Sequence, residues 1–99
     1  MNEIKSTLKS FLADMKGYVL VDFYATFCQP CKIMTPVLNS LESELPHISF
    51  WKADVDCNYL RSDVQSVPTL IVYKDGVELE RKVGLIPRPH LKQWLETFK

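Results

Sequence analysis

The chain predicts a single α/β domain, a mixed central β-sheet with helices on both faces. Three patterns carry that prediction. Between Tyr18 and Asp54 a strand-like run, an amphipathic helix and a second strand-like run follow one another, which is a βαβ unit. Asp75-Gly76 then sits between two further strand-like runs, the strongest short signal for a hairpin. Apolar residues at helical spacing close the two ends of the chain. The βαβ half demands parallel strands joined by a right-handed crossover, and the hairpin adds antiparallel ones.

Taken in order, Ile4, Leu8, Phe11, Leu12 and Met15 recur at helical spacing until Gly17 stops them, and Ser6 or Thr7 suits the cap. Tyr18 to Tyr24 (YVLVDFY) is β-branched and aromatic on both faces, as a strand buried in mid-sheet should be. Cys31 to Leu45 carries Met34, Val37, Leu38, Leu41 and Leu45 at a 3.6-residue period, so it predicts a long helix. Pro36 inside it removes one donor and predicts a kink, and Pro46 closes it. Ile48 to Asp54 is the second strand, and Asn58 to Val64 predicts one or two helical turns. Thr69 to Tyr73 and Val77 to Val83 flank the hairpin. Leu91, Trp94, Leu95 and Phe98 predict a last helix, with Pro89 in its first turn. Residues 1–99 form one domain on this reading, without repeat or linker.

Composition excludes several classes of function. Lys plus Arg is 12 and Asp plus Glu is 12, so no net charge draws the chain to nucleic acid or an anionic membrane. Hydrophobic residues make up 46%, enough for a real core and too many for disorder. The opening residues mix charge with apolar side chains and lack the continuous apolar stretch of a signal peptide. Three cysteines are too few and odd in number for a disulfide framework. Together these predict a cytoplasmic, reducing compartment, where cysteine chemistry means metal binding or redox work.

Cys28-Gln29-Pro30-Cys31 follows the first central strand directly and opens the long helix. A thiolate at a helix N-terminus faces unpaired backbone N–H groups and the positive end of the helix dipole, which favours S⁻ over SH. Beside a βαβ pattern this spacing reads as a redox dithiol. Two alternatives stand next to it. Half of a zinc site would need Cys57, His47 and His90, none of them paired at ligand spacing. Two buried thiols packed as small hydrophobes would not sit where α/β sheets place chemistry.

Val21-Asp22-Phe23-Tyr24-Ala25-Thr26-Phe27-Cys28-Gln29-Pro30-Cys31-Lys32 resembles the active-site segment of thioredoxins. The resemblance continues through Pro36, Lys52, Ala53-Asp54-Val55-Asp56, Val67-Pro68-Thr69, Asp75-Gly76 and Val83-Gly84, from about Ile4 to Phe98. Val-Pro-Thr stands 36 residues after Cys31 and Val-Gly 16 further on, which makes the match specific. Phe27 and Gln29 depart from the Trp and Gly usual in the family, and the short N-terminus leaves only Asn2 to Ile4 for the family's first strand, which is short or missing.

The resemblance implies a thioredoxin-like fold and a dithiol–disulfide oxidoreductase working as a reductant through a redox-active Cys28–Cys31 disulfide. Cys28, the more exposed, is the attacking thiolate, and Cys31 the resolving thiol. Asp22 interrupts a buried strand; burial should raise its pKa, and below Cys31 such a carboxylate takes up the thiol proton. Lys52 either shares charge with Asp22 or is a snorkelling surface lysine. Pro68 is the family's cis-proline and presents Val67 to an extended client strand. Phe27, Val67, Pro68, Gly84 and Leu85 form an apolar rim around Cys28, with Gln29 and Pro30 between the cysteines. No cofactor or metal is implied. A flavin-containing, NADPH-dependent thioredoxin reductase recharges the protein, and its clients include peroxiredoxins. It acts as a monomer, without nucleic acid or membrane. A disulfide oxidase or isomerase, or a thioredoxin-fold binding module, is the alternative.

Overall fold

The strand Tyr18–Tyr24 (β2) runs through the middle of a five-stranded sheet and decides how the molecule is layered. In this computed structural model, which describes residues 1–60 and 62–99, its neighbours are Ile48–Asp54 (β3) and Thr69–Lys74 (β4). Asn2–Glu3 (β1) lies outside β3, and Val77–Val83 (β5) outside β4, giving the order β1-β3-β2-β4-β5. β1, β3 and β2 are parallel, while β4 is antiparallel to β2 and β5 to β4. This is the mixed sheet expected, and the first strand is present as two residues.

Alternation along β2 splits the core. Val19, Val21 and Phe23 face one layer, with Ile71 and Tyr73 of β4 and the helix Leu8–Asp14 (α1). Leu20 faces the other, with Leu70, Val72 and the helices Gln29–Glu42 (α2) and Arg88–Glu96 (α3). Each fully buried Leu or Val contributes about 1.5–3 kcal/mol, so the run VLV-F on β2 anchors both layers at once.

Several expectations need correction. Ile4 belongs to the sheet edge and not to α1, because its N–H donates to the Lys52 carbonyl at 2.8 Å. α1 starts at Leu8, after Thr7, whose hydroxyl accepts the Ser10 N–H at 3.1 Å. α2 starts at Gln29 and stops at Glu42, so Leu45 is buried beyond the helix and not within it. Pro36 lies inside α2, as expected, and helix continues on both sides of it.

No helix forms among the described residues of 58–64, and Arg61 lies outside them. A local side-chain bond competes there, Ser62 Oγ accepting the Val64 N–H at 3.4 Å, and just upstream Asp54 accepts the Asp56 N–H at 2.9 Å. Leu60 is nevertheless buried, and its carbonyl takes the first free N–H of α1, that of Leu8, at 2.9 Å. The hairpin is as expected, with Asp75 and Gly76 both at positive φ, 51° and 85°.

Candidate active site at the start of the second helix

β2 delivers the chain to the cysteines. After Tyr24 the backbone turns once, the Cys28 N–H bonding the Ala25 carbonyl at 3.2 Å, and Cys28 becomes the N-cap of α2. Its Sγ accepts the Cys31 N–H at 3.1 Å, a bond that a cap oxygen makes in most helices. Cys28 and Cys31 form a disulfide, with Cα atoms 5.2 Å apart. Cys28 is half-buried and Cys31 is 2% exposed, so only one sulfur is open to a partner. The Cys31 N–H and the N-terminal end of α2 are thus aimed at the Cys28 sulfur, an arrangement that favours a thiolate over a thiol. Gln29 and Pro30 are exposed on the first turn.

Asp22 shares the α2 face of the sheet with Leu20, since residues two apart on a strand point the same way. It is fully buried, and neither carboxylate oxygen has a hydrogen-bond partner. Burial pushes its carboxyl up from 3.8 to about 7, and the Lys52 ammonium pulls part of the way back. Lys52 stands opposite Asp22 in the β2–β3 register and is half-buried, so its charge reaches Asp22 without an ion pair within 4 Å among the described residues.

The sheet brings the second half of the motif to the same edge. Phe23 pairs with Thr69, and Thr69 with Val83, so Pro68 and Gly84 lie beside the end of β2 that leads to Cys28. The Val67–Pro68 bond is cis, and the Gly84 N–H donates to the Pro68 carbonyl at 2.8 Å. Pro68 is buried, Val67 half-buried, and Gly84 has a φ of 96° with open space where a Cβ would stand. Phe27 and Leu85 are exposed, at 93% and 52%.

Sequence reasoning missed three residues. Ile33 is 53% exposed on α2, one turn after Gln29; its signal was that it falls out of phase with the buried period. Glu3 and Tyr24 are joined by a hydrogen bond, Tyr24 Oη donating to Glu3 Oε2 at 2.5 Å, beside Lys52. Nothing local in sequence marks that pair. No cluster of three metal-ligating side chains occurs among the described residues. Cys57 is a free, half-buried thiol.

Comparison with known proteins agrees with the geometry. The thioredoxin family model matches residues 2–97. A thioredoxin of Chlamydia trachomatis is 51% identical over 72 residues, covering 70% of this chain and 71% of that one. A thioredoxin of Bacillus subtilis is 41% identical over 95 residues, covering 91% of each. Among solved structures, Plasmodium falciparum thioredoxin superposes with a TM-score of 0.86 at 27% identity, covering both chains fully. A chain from a structure addressing thiol resolution in yeast mitochondrial 1-Cys peroxiredoxin by the glutathione and thioredoxin systems has a TM-score of 0.83 at 25% identity, covering 98% of this chain and 94% of that one. Sequence, topology and cysteine geometry converge, and the chain belongs to the thioredoxin family of protein-disulfide reductases.

Proposed function

We propose that Cys28 attacks and Cys31 resolves, with Asp22 taking the proton between the two steps. The observation that carries this reading is the asymmetry of the pair: Cys28 caps α2 at the surface, and Cys31 is buried one turn in. The Cys28 thiolate attacks one sulfur of a client disulfide, and the other client sulfur leaves as a thiolate. Cys31 then gives its proton to the Asp22 carboxylate, and its thiolate attacks the Cys28 sulfur. The second client thiolate departs, and two electrons have passed from the protein to the client. A base of pKa about 7 is well matched to that proton near neutral pH.

The client is an extended strand laid along Val67, whose neighbour Pro68 has no N–H to obstruct it. Phe27, Leu85 and Ile33 supply the apolar contact, and Gly84 leaves the room. Lys52 tempers Asp22 and does not touch the client. Reduction by a flavin-containing, NADPH-dependent thioredoxin reductase completes the cycle, and peroxiredoxins are among the clients, in line with the peroxiredoxin context of the yeast neighbour. The protein works as a one-domain monomer in a reducing cytoplasm, with the disulfide itself as its only redox group.

The test is capture. Cys31→Ser should accumulate a mixed disulfide between Cys28 and a disulfide-bonded peptide, visible by mass spectrometry, while Cys28→Ser should form none. In the reduced protein, iodoacetamide should label Cys28 many times faster than Cys31. Faster labelling of Cys31, or capture by the Cys28→Ser protein, would reverse the assignment.

A further inference from the structure

Glu3, Lys52 and Asp22 stand in one row across three parallel strands. The register pairs Glu3 of β1 with Lys52 of β3, and Lys52 with Asp22 of β2. In-register neighbours of a parallel sheet point to the same face, so one ammonium stands between two carboxylates. The inner one, Asp22, is fully buried, and the outer one, Glu3, is half-buried. Tyr24, two residues after Asp22, lies on that face too. Its hydroxyl donates to Glu3 at 2.5 Å, and its ring centroid is 5.7 Å from Lys52 Nζ. Burial and this hydrogen bond to Glu3 both push the Tyr24 hydroxyl upward, so it stays a donor. The Ile4 N–H bond to the Lys52 carbonyl fixes β1 at this height.

We propose that Glu3 and Tyr24 are positioning residues for the resolving step, which draw the Lys52 ammonium toward the sheet edge and so leave Asp22 able to accept the Cys31 proton. The proposal rests on Asp22 being that acceptor. A lone Lys52 would spend its whole field on Asp22 and hold it ionised with little appetite for a proton. A second carboxylate on the far side of Lys52 divides that field. Tyr24 fixes Glu3 through the hydroxyl and offers the ammonium its ring face.

The groups facing this row are few. Asp54 is the register partner of Tyr24, and Tyr59 lies in the field of Glu3 and Asp54. From β4 the residue opposite Asp22 is the apolar Leu70. From α2, Cys31 is in the disulfide and does not titrate in the oxidised protein.

The experiment is the titration of the Asp22 carboxyl carbon by NMR in the oxidised full-length protein, which assumes nothing about catalysis. Glu3→Gln keeps an acceptor for the Tyr24 hydroxyl but removes the rival charge, and the Asp22 midpoint should fall by ~0.5 pH unit, roughly a threefold rise in its acid dissociation constant. Tyr24→Phe keeps the ring but frees Glu3 from its fixed place on the far side of Lys52, so the midpoint should fall here too, by less than in Glu3→Gln. An unmoved midpoint in Glu3→Gln, or a rise in Tyr24→Phe, overturns the proposal. A loosened β1 would also lower the midpoint by letting water reach Asp22, but it would do so whether or not Lys52 is charged.

In a Lys52→Met background the Glu3→Gln shift should shrink by at least half. A shift of full size there would also overturn the proposal, since Lys52 would not be carrying the coupling. The pH profile for resolution of the mixed disulfide should move with the Asp22 midpoint. If Asp22→Asn leaves that profile unchanged, Asp22 is not the acceptor; the carboxyl titration judges the row itself separately.

Discussion

A single buried carboxylate sets the most unusual energetics of this molecule. Asp22 is protonated more readily in the folded chain, at about 7, than in the unfolded one, near its ordinary 3.8. The folded state therefore binds the proton more tightly between those values, and stability falls as pH rises through that window. The loss is on the order of 4 kcal/mol at most, and it is complete above about pH 8. The paired carboxylates Glu44 and Glu78 are shifted the other way, held below their ordinary range by Lys92 and Arg88 in one case and by Arg81 in the other. Urea unfolding of the oxidised protein should show a higher midpoint at pH 5 than at pH 8, and Asp22→Asn should flatten that difference. The same variant should slow release of the reduced client from the mixed disulfide, most clearly below pH 8. Equal pH dependence in variant and parent would mean that Asp22 is hydrated and that burial does not tune it. The burial of Asp22 was legible in the sequence, because one acidic letter in YVLVDFY has no cheap explanation. Its outer partners were not: Glu3 reaches Tyr24 across 21 residues, through a strand register that no local pattern encodes.

At the scale of elements, the turns and junctions are more specific than the helices. Gly76 closes the β4–β5 hairpin at a φ of 85°, and a Cβ there would stand 2.7 Å from the Leu12 carbonyl oxygen of α1. Backbone strain and a clash with immovable backbone would act together in Gly76→Ala. Gly84 has a similar φ of 96°, but a Cβ would meet nothing within 4 Å. Strain alone costs about 1–3 kcal/mol. Gly84→Ala should therefore fall in that range and Gly76→Ala clearly above it, as read from urea midpoints; equal losses would show that α1 yields freely at the hairpin. Gly84→Ala should in addition weaken client reduction, where Gly76→Ala in its folded fraction should not. The strands β2 and β3 and the Asp75-Gly76 turn were readable because their signals are local: β-branched runs and a dipeptide that tolerates positive φ. The segment 58–64 misled because its polar letters suit a short helix equally well, and only the docking of Leu60 under α1 decides otherwise.

Over the whole molecule, strand order turns a short motif into a site. The ends of β2, β4 and β5 meet at one edge, so Cys28, Pro68 and Gly84, far apart in sequence, share it. The opposite risk of an open sheet, pairing along an exposed edge, falls on β5, where Glu78, Glu80, Arg81 and Lys82 interleave with the exposed Val77, Leu79 and Val83. Such interleaved charge protects an edge from a second copy. What the assembled site does in a cell depends on the affinity of the Cys28–Cys31 pair for electrons. Cys28 caps α2, which favours a thiolate there, while the burial of Cys31 disfavours a second charge beside it; on the proposed roles the protein is an electron donor. The equilibrium reduction potential, titrated against glutathione, tests this directly. A potential at or below the cytosolic glutathione poise of about −220 to −320 mV is the expected result, and one near about −120 mV, the range of strong protein oxidants, would contradict it.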